Sequence, residues 1–183
     1  GVDRRAVEPH RAPKSYGEEN TFEADVLERE RVTAALTAHA EAIARRVRHD
    51  GYRGRTITLK MKLARARGRR IARSPGDASE PRYPLLTRSR TLPAATDDGA
   101  VIREVAVALW DAAALSEPVR LLGVSLSNLE RPSSEQLELF GTARDRLGPA
   151  LDAIQARFGR GAISRAVDDP GKITHTRQRK RGE

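Results

Sequence analysis

Residues 56–63 read Thr56-Ile57-Thr58-Leu59-Lys60-Met61-Lys62-Leu63 and alternate strictly between polar and apolar side chains. Successive side chains of a β-strand point to opposite faces of its sheet, so the four apolar residues would share one face. The other face would carry two threonines and two lysines. Such alternation is typical of a sheet that is buried on one side and open on the other. The stretch therefore predicts a half-buried strand whose open face is basic.

Periodicities on either side of this strand predict the rest of the domain. Two segments repeat apolar residues at helical spacing, and three others have the character of strands. In chain order the predicted elements are a strand at 15–23, a helix at 26–49, strands at 56–63 and 83–92, a helix from Thr96 or Asp97 to Leu115, and a strand at 119–129. Each helix has one apolar stripe, and the sheet needs one cover. We therefore expect an α+β fold of βαββαβ order, with a four-stranded antiparallel sheet and two helices on one face.

The open face of that sheet is expected to carry Lys60 and Lys62, and also Arg88 and Arg90 from the third strand. Five other arginines are expected only to be solvated, since a lone surface arginine usually is. These are Arg45, Arg46, Arg48, Arg103 and Arg120.

The segments outside 15–130 differ in composition. Residues 1–14 contain Pro9 and Pro13 without an apolar period, which predicts a linker, and residues 131–141 have a similar character. Within 142–167 a short helix is expected to begin at Pro149 and to end at Gly159. Residues 168–183 finish in a basic run without apolar periodicity, which predicts a disordered tail.

The charge of the chain is concentrated in one region. The 183 residues have a formal net charge of +9, and residues 53–90 alone have a balance of +10. The remainder is therefore close to neutral. A basic patch of this kind repels itself and attracts an anion, which favours a phosphate-binding surface.

Other classes of protein are disfavoured by what the sequence lacks. It has no cysteine, which excludes disulfides and thiolate metal sites and fits a cytoplasmic location. Its four histidines are scattered, so we expect no metal and no cofactor in this chain. No apolar run approaches the roughly 18 residues of a membrane span, and residues 1–10 lack the character of a signal peptide. We expect a monomer that does not bind membranes.

Five motifs follow one another along the chain and identify a family. They are Gly1-Val2-Asp3-Arg4-Arg5 with Val7; Pro13-Lys14-Ser15-x-Gly17-x-Glu19-x-Thr21-Phe22; Gly54-Arg55-Thr56-x-Thr58-Leu59-Lys60; Thr87-Arg88-Ser89-Arg90-Thr91-Leu92; and Val119-Arg120-Leu121-Leu122-Gly123-Val124-Ser125. In this order and spacing they resemble the C-terminal third of the bacterial Y-family translesion DNA polymerases. The resemblance implies that 1–14 is the end of the thumb with a linker, and that 15–130 is the little finger, a βαββαβ domain that binds DNA.

The resemblance also implies a set of residues that contact primer-template DNA. The contacts would be to phosphates, which position a protein without reading sequence. The residues are Lys14, Ser15, Arg55, Thr56, Lys60, Lys62, Arg88, Ser89, Arg90 and Thr91. For the strand hydroxyls, a hydrogen bond to nearby backbone is the competing interpretation.

Catalysis in the family depends on a palm domain whose carboxylates hold two Mg²⁺ ions. None of the motifs above matches that domain, so we assign no catalytic residue. The resemblance therefore implies a DNA-directed DNA polymerase, with Mg²⁺, for the full-length protein, and this chain alone is predicted to be inactive.

Residues 136–140, Gln136-Leu137-Glu138-Leu139-Phe140, resemble the pentapeptide with which bacterial replication proteins bind the sliding clamp. By this resemblance Gln136, Leu137, Leu139 and Phe140 would make the contacts. The competing interpretation is that these apolar residues pack on the domain or begin the last helix. Two further functions stay open for the whole chain: a stand-alone nucleic-acid-binding module, and an adaptor that binds the clamp without any polymerase.

Overall fold

The structure, a computed structural model, describes residues 12–64, 83–131, 143–159 and 162–163, with only the backbone at 143–146. Seven elements lie in these ranges. They are β1 (Ser15–Val26), α1 (Arg29–His49), β2 (Arg53–Leu63), β3 (Leu85–Thr96), α2 (Gly99–Ala113), β4 (Val119–Glu130) and α3 (Ala143–Phe158). The order of the first six confirms the βαββαβ prediction.

The four strands form one antiparallel sheet in the order β1-β4-β2-β3. Strands β4 and β2 are central and pair with each other, while β1 and β3 are the edge strands. Leu59 of β2 lies opposite Val124 of β4, and Met61 lies opposite Leu122. These four side chains are buried, which places the apolar face of both central strands in the core.

Helices α1 and α2 cover that apolar face. The stripe of α1 contributes Leu36, Ile43 and Val47 to the core, all fully buried. Helix α2 contributes Ile102, Leu109 and Trp110, the only tryptophan, and joins the same cluster. The two predicted helices thus lie on one face of the sheet, as expected.

The starts of the two helices differ from the prediction, while the end of the first agrees with it. Strand β1 continues to Val26, which is fully buried, so α1 begins at Arg29 and not at residue 26. Helix α2 is capped by Asp98, whose carboxylate accepts a hydrogen bond from the amide of Ala100 at 2.8 Å, and not by Thr96 or Asp97. Helix α1 ends before Gly51, which has a φ of +70° that favours glycine.

Helix α3 begins at Ala143, six residues before the predicted start at Pro149, and ends before Gly159 as predicted. It packs on α1 through its polar side, where Asp152 accepts hydrogen bonds of 2.7 and 3.0 Å from Arg48. Its apolar residues Leu147 and Phe158 are 50% and 66% exposed. The ion pair is therefore a main contact of the helix, while much of its apolar stripe is exposed.

The expectation that five arginines are only solvated is wrong for at least three of them. Arg48 donates to the backbone oxygen of Asp97 at 2.6 Å as well as to Asp152. Arg46 donates to Gly17 and Glu18 of β1, and Arg120 donates to the backbone oxygen of Glu23. These arginines fasten helices and strands to each other, because their partners come from distant parts of the chain.

Three of the sequence predictions concern residues outside the described ranges. They are the thumb end and most of the linker at 1–14, the pentapeptide 136–140, and the tail 168–183.

Candidate nucleic-acid interface

The sheet face opposite the helices, here called the open face, is organised in four rows of directly paired residues. Each row crosses the strands in the order β1, β4, β2, β3. The rows are Ser15, Ser127, Thr56, Thr91; Gly17, Ser125, Thr58, Ser89; Glu19, Gly123, Lys60, Thr87; and Thr21, Leu121, Lys62, Leu85. The first two rows contain only hydroxyl-bearing residues and one glycine. The charged side chains all lie in the last two rows.

Some hydroxyl groups of the first two rows already form hydrogen bonds within the sheet. The Oγ1 atoms of Thr56 and Thr91 lie 2.9 Å apart in a hydrogen bond, and Asn128 donates to Thr56 Oγ1 at 2.8 Å. Both threonines were predicted to contact DNA. Ser89 is exposed on the same face, in the next row.

Lys60 and Lys62 lie on the open face, as predicted. Lys60 Nζ lies 2.9 Å from Glu19 Oε2, so this lysine has a carboxylate partner on strand β1. Lys62 Nζ lies over the ring of Tyr83, 5.4 Å from its centre, and this cation–π contact leaves its charge accessible. The two lysines therefore differ in how readily a phosphate can reach them.

Arg88 and Arg90 are not on the open face, and the prediction that placed them there is wrong. Arg88 lies opposite Leu59 and Arg90 opposite Ile57, so both leave β3 on the side of the helices. Thr87, Ser89 and Thr91 take the open face instead. Both arginines remain exposed because β3 is an edge strand.

Arg55 and Lys14 lie at the ends of strands. Arg55 donates to both carboxylate oxygens of Glu130 at 3.0 and 3.4 Å and to the backbone oxygen of Pro93 at 2.8 Å. The hydrogen bond and charge of Glu130 raise the pKa of Arg55. Lys14 is exposed directly before β1, one residue ahead of Ser15 in the first row.

The local charge of residues 53–90 is reduced by partners from outside that segment. Arg53, Arg55 and Lys60 each lie within 4.0 Å of a carboxylate, from Asp97, Glu130 and Glu19 respectively. Self-repulsion in this region is therefore relieved in part by the fold itself. Lys62, Arg88 and Arg90 have no carboxylate partner among the described residues.

The open face also contains residues that were not predicted to contact DNA. Among them are Glu19, Gly123, Ser125 and Ser127, together with Thr58, which the sequence had placed on this face without assigning it a contact. The signal was present in the last strand, where glycine and serine alternate with Leu122, Val124 and Leu126. Without the pairing of β4 with β2, it did not show which residues would join Lys60.

In the described ranges no group of three or more histidine, aspartate or glutamate side chains is arranged to hold a metal ion. None of the described helices is long and apolar enough to span a bilayer.

The described residues thus define an α+β domain with one face of its sheet under helices and the other face open and rich in hydroxyls. The family model for the impB/mucB/samB family C-terminal domain matches residues 13–139. This chain belongs to that family. Its fold and its relatives agree with the resemblance to the C-terminal region of Y-family DNA polymerases.

Three similar curated proteins share the name DNA polymerase IV. The DNA polymerase IV of Moorella thermoacetica is 35% identical over 182 residues, covering 93% of this chain and 40% of the relative. That of Desulfatibacillum aliphaticivorans is 36% identical, with 91% and 40% covered. That of Streptomyces coelicolor is 37% identical, with 74% and 25% covered. The chain therefore spans at most about 40% of the length of these relatives.

Proposed function

We propose that this chain is the DNA-binding little finger of an error-prone translesion DNA polymerase, and that it grips primer-template phosphates without reading their sequence. The observation that carries the proposal is the open face, on a domain of the family just described. Serine and threonine hydroxyls and lysine ammonium groups all donate hydrogen bonds to phosphate oxygens. The helices on the opposite side supply rigidity and leave this face free.

The dimensions of the open face suit a duplex. Neighbouring strands lie about 4.8 Å apart, so the axes of β1 and β3 are separated by roughly 14 Å. The major groove of B-DNA is about 12 Å wide. Each edge strand can therefore lie near one phosphate backbone. On this arrangement Lys14 and Ser15 approach one backbone, while Arg88 and Arg90 flank the other from the helix side of β3.

The chemistry of the open face suits binding that ignores base identity. Specific readout of base edges relies mainly on contacts from arginine or lysine to guanine and from asparagine or glutamine to adenine. Of these types, the sixteen residues in the four rows include only Lys60 and Lys62. A polymerase that copies damaged templates gains from contacts to the phosphate backbone alone, because an altered base then does not weaken binding.

Fluorescence anisotropy with two labelled primer-template duplexes of unrelated sequence tests this proposal. We expect equal affinity for both, with log K falling against log salt at a slope of roughly −4 to −5 if four to six phosphates are contacted. Lys62→Gln should reduce the slope by about 0.9. Arg31→Gln, which likewise removes one positive charge but from α1, should not alter it. Absence of binding, or a strong preference for one duplex, would contradict the proposal.

We further propose that catalysis belongs to a part of the polymerase beyond this chain. Two-metal phosphoryl transfer needs clustered carboxylates, and Mg²⁺ would be held there. The purified chain should give no primer extension in a template-directed assay with Mg²⁺ and nucleotides. Extension above a no-protein control would refute this.

Residues 136–140 are proposed as a sliding-clamp-binding motif. The support is their position: the last strand of the sheet ends at Glu130, and α3 begins at Ala143. A clamp contact would raise the concentration of the polymerase at the primer end through tethering. Replacing Leu139 and Phe140 with alanine should abolish capture on immobilised clamp, whereas Leu147→Ala should not.

The DNA-binding assay and the clamp-capture assay together separate the two alternative functions. A chain that binds DNA but not the clamp would be a stand-alone nucleic-acid-binding module. One that binds the clamp but not DNA would be an adaptor.

A further inference from the structure

Glu19 and Lys60 meet across an intervening strand. Both lie in the third row of the open face, on β1 and β2, with Gly123 of β4 between them. Two strand spacings separate their backbones by roughly 10 Å. Their side chains nevertheless meet at 2.9 Å, because both are long and both lie over the backbone of Gly123.

The Glu19–Lys60 ion pair requires glycine at position 123. A Cβ atom at residue 123 would lie 2.9 Å from Cβ of Glu19 and 3.4 Å from its Oε2 atom. The first distance is too short for two carbon atoms, and because a Cβ atom is fixed to its backbone, strands β1 and β4 would have to shift apart. The absence of a side chain at Gly123 also leaves a shallow groove of about 250 Å³, which Gly17, Thr58, Lys60 and Ser125 help to line.

The bridge is weak enough to exchange for a phosphate. Its two side chains are 42% and 52% exposed, for Lys60 and Glu19 respectively. Solvated pairs of this kind contribute little to stability. A phosphate oxygen would compete with the Glu19 carboxylate for the same ammonium group. The carboxylate would also repel any phosphate that approached the groove.

We infer that the Glu19 carboxylate competes with DNA phosphates for the Lys60 ammonium group. It pairs with Lys60 when DNA is absent, and it continues to repel the phosphate when DNA is bound. This inference rests on the proposed function, because it requires that the open face contacts a duplex. Its consequence is a domain that holds DNA less tightly, and with a smaller salt dependence, than its lysines alone would give. Lys62 faces a tyrosine ring and not a carboxylate, so it can bind a phosphate without a competing acidic side chain.

The variant Glu19→Gln tests the inference by removing the charge at constant shape. A freed Lys60 that gains one phosphate should steepen the salt slope by about 0.9, and at 0.1 M salt this corresponds to roughly an eightfold gain in affinity. In the double variant with Lys60→Gln, the steeper slope should disappear, and only the smaller gain from relieved repulsion should remain relative to Lys60→Gln alone. Glu30→Gln on α1 removes the same charge away from the open face and should leave the slope unchanged.

Each outcome of the anisotropy measurement has a meaning. Unchanged or reduced affinity in Glu19→Gln, with normal binding by the wild type, would overturn the inference alone. Reduced affinity would mean that Glu19 orients Lys60 towards the duplex. A steepened salt slope that persists in the double variant would also overturn it, because the additional phosphate contact would not pass through Lys60. Absence of wild-type binding would refute the proposed function and, with it, this inference.

Discussion

Helix α3 is predicted to detach from the domain when Asp152 is replaced with alanine. Asp152 accepts two hydrogen bonds from Arg48, at 2.7 and 3.0 Å. The Arg48 side chain is only 11% exposed, and Gly148 of α3 packs against its guanidinium group. A further polar contact, from Arg45 to Gln155, is long at 3.3 Å. The stripe residues Leu147 and Phe158 are largely exposed.

The expected magnitude follows from these contacts. Hydrogen bonds to charged groups contribute about 1.5–3 kcal/mol. Arg48 keeps its bond to the backbone oxygen of Asp97, and Asp152 is 27% exposed, so water can replace part of what is lost. We expect a cost of about 2 kcal/mol, which corresponds to roughly a 30-fold shift of the docking equilibrium. An isolated helix of 16 residues is marginal in water, so undocking should unfold it.

Hydrogen exchange measured by mass spectrometry reports this directly. Amides of α3 should lose about 30-fold in protection in Asp152→Ala, while amides of β2 and β4 should keep theirs. Arg157→Ala is the control, because this arginine contacts the ring of Phe158 within α3 itself. Unchanged protection of α3 would refute the ion-pair account, as would an equal loss of protection across the sheet. DNA affinity should be unaffected, because α3 packs on the helical side.

Two further predictions concern stability. Gly54→Ala should lower the free energy of unfolding by about 1–3 kcal/mol, because a Cβ at this position would lie 2.5 Å from Cγ of the buried Leu126; a urea denaturation curve identical to that of the wild type would contradict this. The stability of the wild type should fall between pH 10 and 12 more than that of Tyr16→Phe. Burial, followed by the hydrogen bond to Asp50, raises the pKa of Tyr16 from 10.0 to about 12, so this stabilisation is complete below pH 10 and is lost as the pH approaches 12. Urea denaturation at pH 8 and pH 11 checks this. If the free energy of unfolding falls equally in the wild type and in Tyr16→Phe, the stabilising role of the Tyr16 hydroxyl is excluded.

The sequence predicted the fold because burial imposes a distinct pattern on each element. The alternation at residues 56–63 identified the central strand, and Lys60 and Lys62 lie on its open face as expected. The helical stripes of α1 and α2 were equally clear, because both helices bury one side against the sheet. Where a face is buried, register is specified strongly.

The orientation of β3 was missed for the opposite reason. Residues 87–91 are all polar, so neither face of this edge strand is marked by its own alternation. The usable signal lay just outside, in Leu86 and Leu92, which are partly buried against the core and share the spacing of Arg88 and Arg90. The Arg48–Asp152 pair could not be foreseen, because it joins residues 104 positions apart.

The central claim is that the open face contacts the duplex, and amide chemical-shift mapping of the labelled chain tests it most directly. On titration with primer-template DNA, we expect the largest changes at Thr58, Lys60 and Ser125 and at the edge strands, with little change along α1 and α2. Changes concentrated on the helices, with the rows of the open face unperturbed, would contradict the account.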